Sequence, residues 1–308
     1  MLSNISAAGQ QFLSSISQVQ NALNHAQLEV SSGLKVATAS DAPDQVSAIL
    51  QLHANIQSNQ QTTTNLTNVQ SEVNTADQGL SNVTSLLDQA QVLAAQGLSG
   101  TASASTRASL ASQVQGLTQQ IVAISQTTFA GRYVFSGTSD QSPSYQYDPS
   151  TQTVTRLQVS SSATRQVADS SGATFPVSLT ANQIFDARDA SDNPTTGNVF
   201  AALTAISTAL SANDTAGLQT AASSLSAAST YVNQQQTFYG QAENRITAAL
   251  SLASQANVAS QQDLSNKQDA DVTSAILELT QETTNLQAAM ASYAKLPHNS
   301  LFSILPSA

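Results

Sequence analysis

The 308-residue chain has no cysteine and no tryptophan, and only 9% of its residues are Asp, Glu, Lys or Arg. An average globular protein carries roughly 25%. Without cysteine there is neither a disulfide framework nor a thiolate metal site, though this leaves the compartment open. Basic residues are the scarcest charge, nine against nineteen acidic, for a net charge of −10. The nine (Lys35, Arg107, Arg132, Arg156, Arg165, Arg188, Arg245, Lys267, Lys295) stand singly. No patch follows a phosphate backbone, so nucleic acid is not expected as a partner. No apolar run approaches the ~18 residues of a membrane span, so no membrane insertion is expected. The opening MLSNISAAGQQFLSS has no basic n-region and no apolar h-region, so no cleaved secretory signal is expected. The chain is then either cytoplasmic or exported by a route that needs no such signal.

Catalytic constellations are also missing. His25, His53 and His298 lie far apart, and there is no His-Glu-x-x-His and no glycine-rich phosphate loop. Asp186, Asp189 and Asp192 recur every third residue in a loop, but not at the spacing of a calcium-binding loop. They read as solvated. No catalytic, cofactor or metal site is expected, and the chain reads as a non-enzyme.

What fills the sequence instead is Ser, Thr, Gln, Asn and Ala. A low-charge surface of this kind suits subunits packed side by side, because few charges must be desolvated at the contact.

Hydrophobic periodicity carries the architecture. Ile5, Gly9, Phe12, Ile16, Val19, Leu23, Ala26 and Val30 follow alternating steps of four and three. This is a coiled-coil seam that ends at Ser31-Ser32-Gly33, where the glycine predicts a C-terminal cap. The far end mirrors it with Val272, Ile276, Leu279, Thr283, Leu286, Met290 and Tyr293, closed by Pro297 and a short apolar tail from Leu301 to Leu305. Pairing the two seams makes the chain a long antiparallel hairpin. Two helices bury little, so these ends are expected to be disordered in the monomer and to order against neighbouring subunits.

Between the ends, Ser40-Asp41-Ala42-Pro43 is a helix start signal. The pattern Leu66, Val69, Val73, Ala76, Leu80, Val83, Leu87, Ala90, Ala94 then predicts a helix to about Gly97, with Gly79 a weak spot of roughly 1 kcal/mol. Further helices are predicted near 105–129, 199–210 and 215–257. From Gly131 to Asp192 aromatic and β-branched residues alternate between turns at Asp148-Pro149-Ser150 and Ser170-Ser171-Gly172, which predicts antiparallel β structure.

The fold class is therefore mainly α: a long antiparallel helical bundle or coiled coil made from the N- and C-terminal segments, with a small inserted antiparallel β domain (α+β overall). The expected domains are a terminal paired-helix core (1–35 and 265–308), a long-helix rod (36–130 and 195–264) and the β insert (131–194). The residues expected to pack between subunits are Ile5, Phe12, Ile16, Val19, Leu23, Val30, Val272, Ile276, Leu279, Leu286, Met290 and Tyr293.

Three segments resemble one family, the bacterial flagellins and their junction relatives. In LEVSSGLKVATASDAP a helix ends at Ser32-Gly33-Leu34 and another begins after Asp41-x-Pro43, although Glu29 stands where members usually carry Arg. The C-terminal stretch from Leu264 to Leu305 is similar, with Leu264-Ser265-Asn266, Asp271 and Gln287-Ala288-Ala289. The third segment is Gly131-Arg132-Tyr133-Val134-Phe135-Ser136-Gly137-Thr138. It looks like the junction members rather than flagellins proper, which tend to have an Asn-rich turn there. The resemblance implies unfolded export through the flagellar type III channel, an extracellular place at the hook–filament junction, and paired terminal helices forming an inner tube. The implied partners are a ring of like subunits, hook-associated protein 1, flagellin, and an export chaperone at the C-terminal region. The readings set beside it are a small flagellin forming the filament itself and a secreted helical adhesin or effector.

Overall fold

The computed structural model describes residues 7–157 and 164–294. Ile5, Pro297 and the apolar tail lie outside these. The apolar periods become helices: α1 (Ala7–Ser32), α2 (Val46–Leu98), α3 (Ala104–Ser125), α5 (Val199–Ser211), α6 (Thr215–Gln268) and α7 (Val272–Ala294), with one turn of helix, α4 (Ala181–Phe185), in the β region. The chain divides into two compact units, Met1–Ser58 with Asn257–Ala308, and Asn59–Ala256.

In the first unit α1 packs along α7. Gly33 ends α1 as its sequence predicts: at φ +71° its N–H donates to Glu29 O at 2.8 Å. The chain then crosses the segment between α6 and α7. Lys35 N donates to Gln268 O (2.7 Å), Ala270 N donates to Gly33 O (2.9 Å), and Leu34 pairs antiparallel with Asp269. These backbone bonds pin the inner ends of α1 and α7 together. Pinning lowers the closure entropy of pairing helices from opposite ends of a chain, which favours the α1–α7 pairing seen within one chain.

The start of α2 also differs from its expectation. Asp41 does not cap the helix. It turns back, Oδ2 accepting from Ala37 N (3.0 Å) and Thr38 N (2.6 Å), and α2 begins at Val46. The bonds from Thr38 hold the Asp41 carboxyl below its ordinary range.

The second unit is built around one core. Leu66, Val73, Leu80, Val83 and Leu87 of α2 join Val114 and Ile121 of α3, Leu203, Ile206 and Leu210 of α5, and Leu225, Val232 and Ile246 of α6. Among the described residues the β region forms four separate two-stranded antiparallel hairpins: β1 (Thr128–Phe129) with β2 (Arg132–Tyr133), β3 (Tyr145–Asp148) with β4 (Thr153–Arg156), β5 (Gln166–Ala168) with β6 (Thr174–Pro176), and β7 (Asp186–Arg188) with β8 (Pro194–Asn198). Their inward side chains, Val134, Phe135, Tyr145, Phe175 and Val177, belong to the same core as the helices. Phe135 stacks edge-on against Phe185 (5.7 Å between centroids) and Tyr239 (6.5 Å).

One glycine in α2 is there for space. A Cβ on Gly97 would collide with the Leu210 side chain, whereas one on Gly79 would only touch Phe135 Cζ at 3.4 Å. The end of this unit near Gly97 is held by buried Arg107, whose Nε donates to Gly97 O (2.7 Å) and Nη1 to Asn213 Oδ1 (2.5 Å).

Three hairpin tips repeat one device. Asp148, Asp169 and Asp189 each accept, through Oδ1, the backbone N–H of a serine two residues on: Ser150 (2.9 Å), Ser171 (2.8 Å) and Ser191 (2.9 Å). The three aspartates at 186, 189 and 192 therefore part company. Asp189 and Asp192 are exposed, but Asp186 is 4% exposed and ion-paired with Arg188, its Oδ1 2.8 Å from Nε. It reads as solvated in the sequence because its burial depends on tertiary packing, with Arg156 reaching it from a different hairpin thirty residues earlier.

Candidate assembly surface

Among the described residues no three acidic or histidine side chains come together as a metal site. The surface that stands out is apolar and lies on α1 and α7.

On α1 the seam faces α7 as spaced. Phe12, Ile16, Val19, Leu23 and Val30 are partly covered and Ala26 is fully buried. Phe12 and Ile16 line a cleft of about 220 Å³ with Leu286 and Met290, which fixes the pairing as antiparallel together with the Leu34–Asp269 bridge.

On α7 the covered stripe is not the one the spacing predicts. Ala275 is buried, and Leu279, Glu282, Leu286 and Ala289 are partly covered. Leu279 and Leu286 belong to both stripes. At ~100° per residue the covered stripe is turned by about 50° from the large apolar residues. Val272 (43% exposed), Ile276 (47%) and Met290 (62%) are left at the surface. Only the backbone of Tyr293 is described. The fully buried residues of the two helices are small, Ala275 on α7 and Ala26 on α1, so the covered stripe runs through alanine and leaves bulkier side chains beside it. A reading of large apolar residues alone does not count those alanines.

The consequence is an apolar margin beside the seam that the described residues cover only in part, Val272 and Ile276 along it and Met290 at the mouth of the cleft it shares with Phe12 and Ile16. Leu277 on α7 and Leu13 and Leu28 on α1 are also exposed large side chains, on other faces of their helices. Solvation is local to the ends of α7. Asp271 caps its N-terminus, accepting from Thr273 N (3.0 Å) and Ser274 Oγ (2.9 Å), and the Ser274 bonds hold its carboxyl below the ordinary range. No helix among the described residues is long and apolar enough to cross a membrane.

The motif residues are brought to places of visible use. Ser32, Gly33 and Leu34 form the turn that meets the segment between α6 and α7, with Ser32 Oγ donating to Leu28 O (2.6 Å). Pro43 lies in the turn before α2, two residues past Asp41. Ala130 (φ +49°) and Gly131 (φ +77°) make a two-residue hairpin turn that delivers Arg132 and Tyr133 to β2. Arg132 Nε lies 3.6 Å from Asp140 Oδ2, and Gly137 (φ +58°) lets the chain leave just after Phe135 enters the core.

Residues 3–140 match the family model described as the bacterial flagellin N-terminal helical region. The flagellar hook-associated protein 3 of Escherichia coli (strain K12) is 27% identical over 292 residues, covering 90% of both chains. The structure is similar to that of a putative flagellar hook-associated protein from Vibrio parahaemolyticus, with a TM-score of 0.65, 17% identity, 74% of this chain and 100% of that one. It is also similar to flagellar hook associated protein-3 from Legionella pneumophila, with a TM-score of 0.59, 14% identity, 72% of this chain and 98% of that one. At these identities the structural likeness speaks for the fold.

Proposed function

We propose that this chain, whose residues 3–140 match the model of the flagellin N-terminal helical region, is a member of that family and the hook-associated junction subunit of the flagellum, joining hook to filament. It is a structural component of the flagellum at an extracellular-exposed location, not an enzyme. Copies of the chain form a layer that meets hook-associated protein 1 on one side and flagellin on the other. Before assembly an export chaperone holds the C-terminal region.

The observation that carries this reading is the partly covered margin of Val272, Ile276 and Met290 beside a seam already closed by Leu279 and Leu286. Burying each large side chain is worth roughly 1.5–3 kcal/mol, so a neighbour's helix lying on this margin gains part of several such terms. Few charges compete. The junction placement rather than a filament of this chain is supported by the Gly131–Thr138 segment and by the relative of that name along 90% of both chains.

The test separates margin from seam. Ile276→Asp places a charge on the margin and spares the α1–α7 contact. The expected result is export of folded monomers into the medium, with no filament on the hooks. Cells carrying Ile276→Asp with normal filaments would overturn the proposal. Quantifying the protein in purified flagella tests the junction role: a few copies per flagellum are expected, and a bulk filament protein would contradict it.

A further inference from the structure

A cleft of about 460 Å³ opens in the second unit between hairpins β3–β4 and β7–β8 and the first turns of α5. Its chemistry differs from the rest of this acidic, sparsely charged surface. Arg156 and Arg188, two of the nine basic residues in the chain, both line it, together with Tyr145, Asp186 and Asn198.

The charges in the cleft divide into a fixed part and a loose part. Asp186 is fixed: it is 4% exposed, and its Oδ1 accepts from Arg188 Nε at 2.8 Å and from Asn198 Nδ2 at 2.5 Å. Arg156 Nη1 stands 3.8 Å from Asp186 Oδ2, at the outer limit of an ion pair. Two guanidiniums face one buried carboxylate, which leaves one positive charge over. That charge is met by Asp192, whose Oδ2 and Oδ1 lie 2.8 and 3.1 Å from Arg156 Nη2. Asp192 sits on the turn between β7 and β8, its backbone at φ +62° and its side chain 64% exposed. A pair that is open to water on one side contributes little and exchanges readily. The Arg156 side chain is only 20% exposed, and Asp186 at 3.8 Å remains beside it when Asp192 moves.

We propose that this cleft is a carboxylate-binding site in which Asp192 is an internal stand-in for the ligand. An incoming carboxylate takes the two contacts that Asp192 makes on Arg156 Nη2, and Asp192 swings into solvent. Arg188 holds the turn meanwhile through Nη1 to Asp192 O at 2.7 Å, so only the side chain has to move. Arg–carboxylate pairs of this kind are strengthened where the guanidinium is preorganised and half-shielded. The carboxylate has two sources: a small organic acid, or an Asp or Glu side chain of an adjoining protein subunit. The site does not depend on the junction reading.

The experiment follows the Nε–H signals of Arg156 and Arg188 by NMR in the full chain. The probes are sodium succinate and a blocked Gly-Glu-Gly peptide, with sodium chloride at matched ionic strength as reference. Saturable shifts beyond those of chloride are expected in the native chain. Asp192→Asn, an exposed substitution, removes the internal competitor and is expected to tighten binding about two- to fivefold. Shifts with succinate alone assign the site to small acids, and shifts with the peptide as well assign it to subunit side chains. Shifts no larger than those of chloride for both probes, or equal affinity in Asp192→Asn and the native chain, would overturn it.

Discussion

Buried ionic side chains are rare in a chain with 9% charged residues, so each exposes a specific constraint. Glu72 on α2 is 6% exposed and paired with Arg165 at the start of the third hairpin. Burial pushes the Glu72 carboxyl above its ordinary range, and the Arg165 guanidinium opposes that shift. Removing one partner leaves an uncompensated charge in the core. Arg165→Leu is expected to cost about 3–5 kcal/mol in urea unfolding, whereas Glu72→Leu with Arg165→Leu recovers most of the loss. A double variant as unstable as the single one would mean that the ion pair is not what matters there. The glycines give a second residue-scale prediction. Gly97→Ala collides with Leu210 and is expected to cost about 1–3 kcal/mol through overpacking, despite alanine's better helix propensity. Thermal unfolding decides which effect wins, and a more stable Gly97→Ala would contradict the packing. From sequence Gly97 reads only as a helix stop, since the side chain that needs the space, Leu210, lies more than a hundred residues away along the chain.

The hairpins are the elements whose existence the sequence shows and whose arrangement it hides. The turns at Asp148-Pro149-Ser150 and Ser170-Ser171-Gly172 are legible because Asp, Ser and Gly make these turns by local bonds. That the strands form four separate pairs on the helical core, and not one sheet, depends on Phe135, Tyr145 and Phe175 finding helix partners, which local chemistry does not encode. The tips make a pH prediction. The serine bonds hold Asp148 down to about 2, and Asp169 and Asp189 are also lowered by the bonds they accept. A carboxylate whose folded pKa is depressed stabilises fully above its unfolded value of about 3.9 and loses that contribution as pH falls toward the folded one. The Asp148 tip is therefore expected to stay closed at pH 4 and to loosen only between about 3.9 and 2, and the other two to loosen likewise below about 3.9. Carboxyl-carbon NMR titration checks this, with Ser150→Ala expected to move the Asp148 midpoint up. Midpoints of all three near the unfolded value would contradict it.

At the scale of the whole molecule, the chain has two apolar faces on its terminal helices, one covered and the other covered only in part. The first face is legible in the heptads of α1, where Phe12, Ile16, Val19 and Leu23 meet α7 as spaced. On α7 the phase is not legible, because Ala275 and Ala289 set the contact while larger neighbours set the pattern. Export, assembly and the scarcity of charge meet on the second face. In the proposed function, Val272, Ile276 and Met290, exposed in the single chain, are what a layer of subunits would cover.

Met290 reports on that directly, as one of only two methionines in the chain and 62% exposed. Hydroxyl-radical footprinting of the purified monomer and of intact hook–filament preparations compares its oxidation in the two states. The account predicts rapid conversion of Met290 to the sulfoxide in the monomer and strong protection in the assembled flagellum. Equal oxidation in both would contradict it.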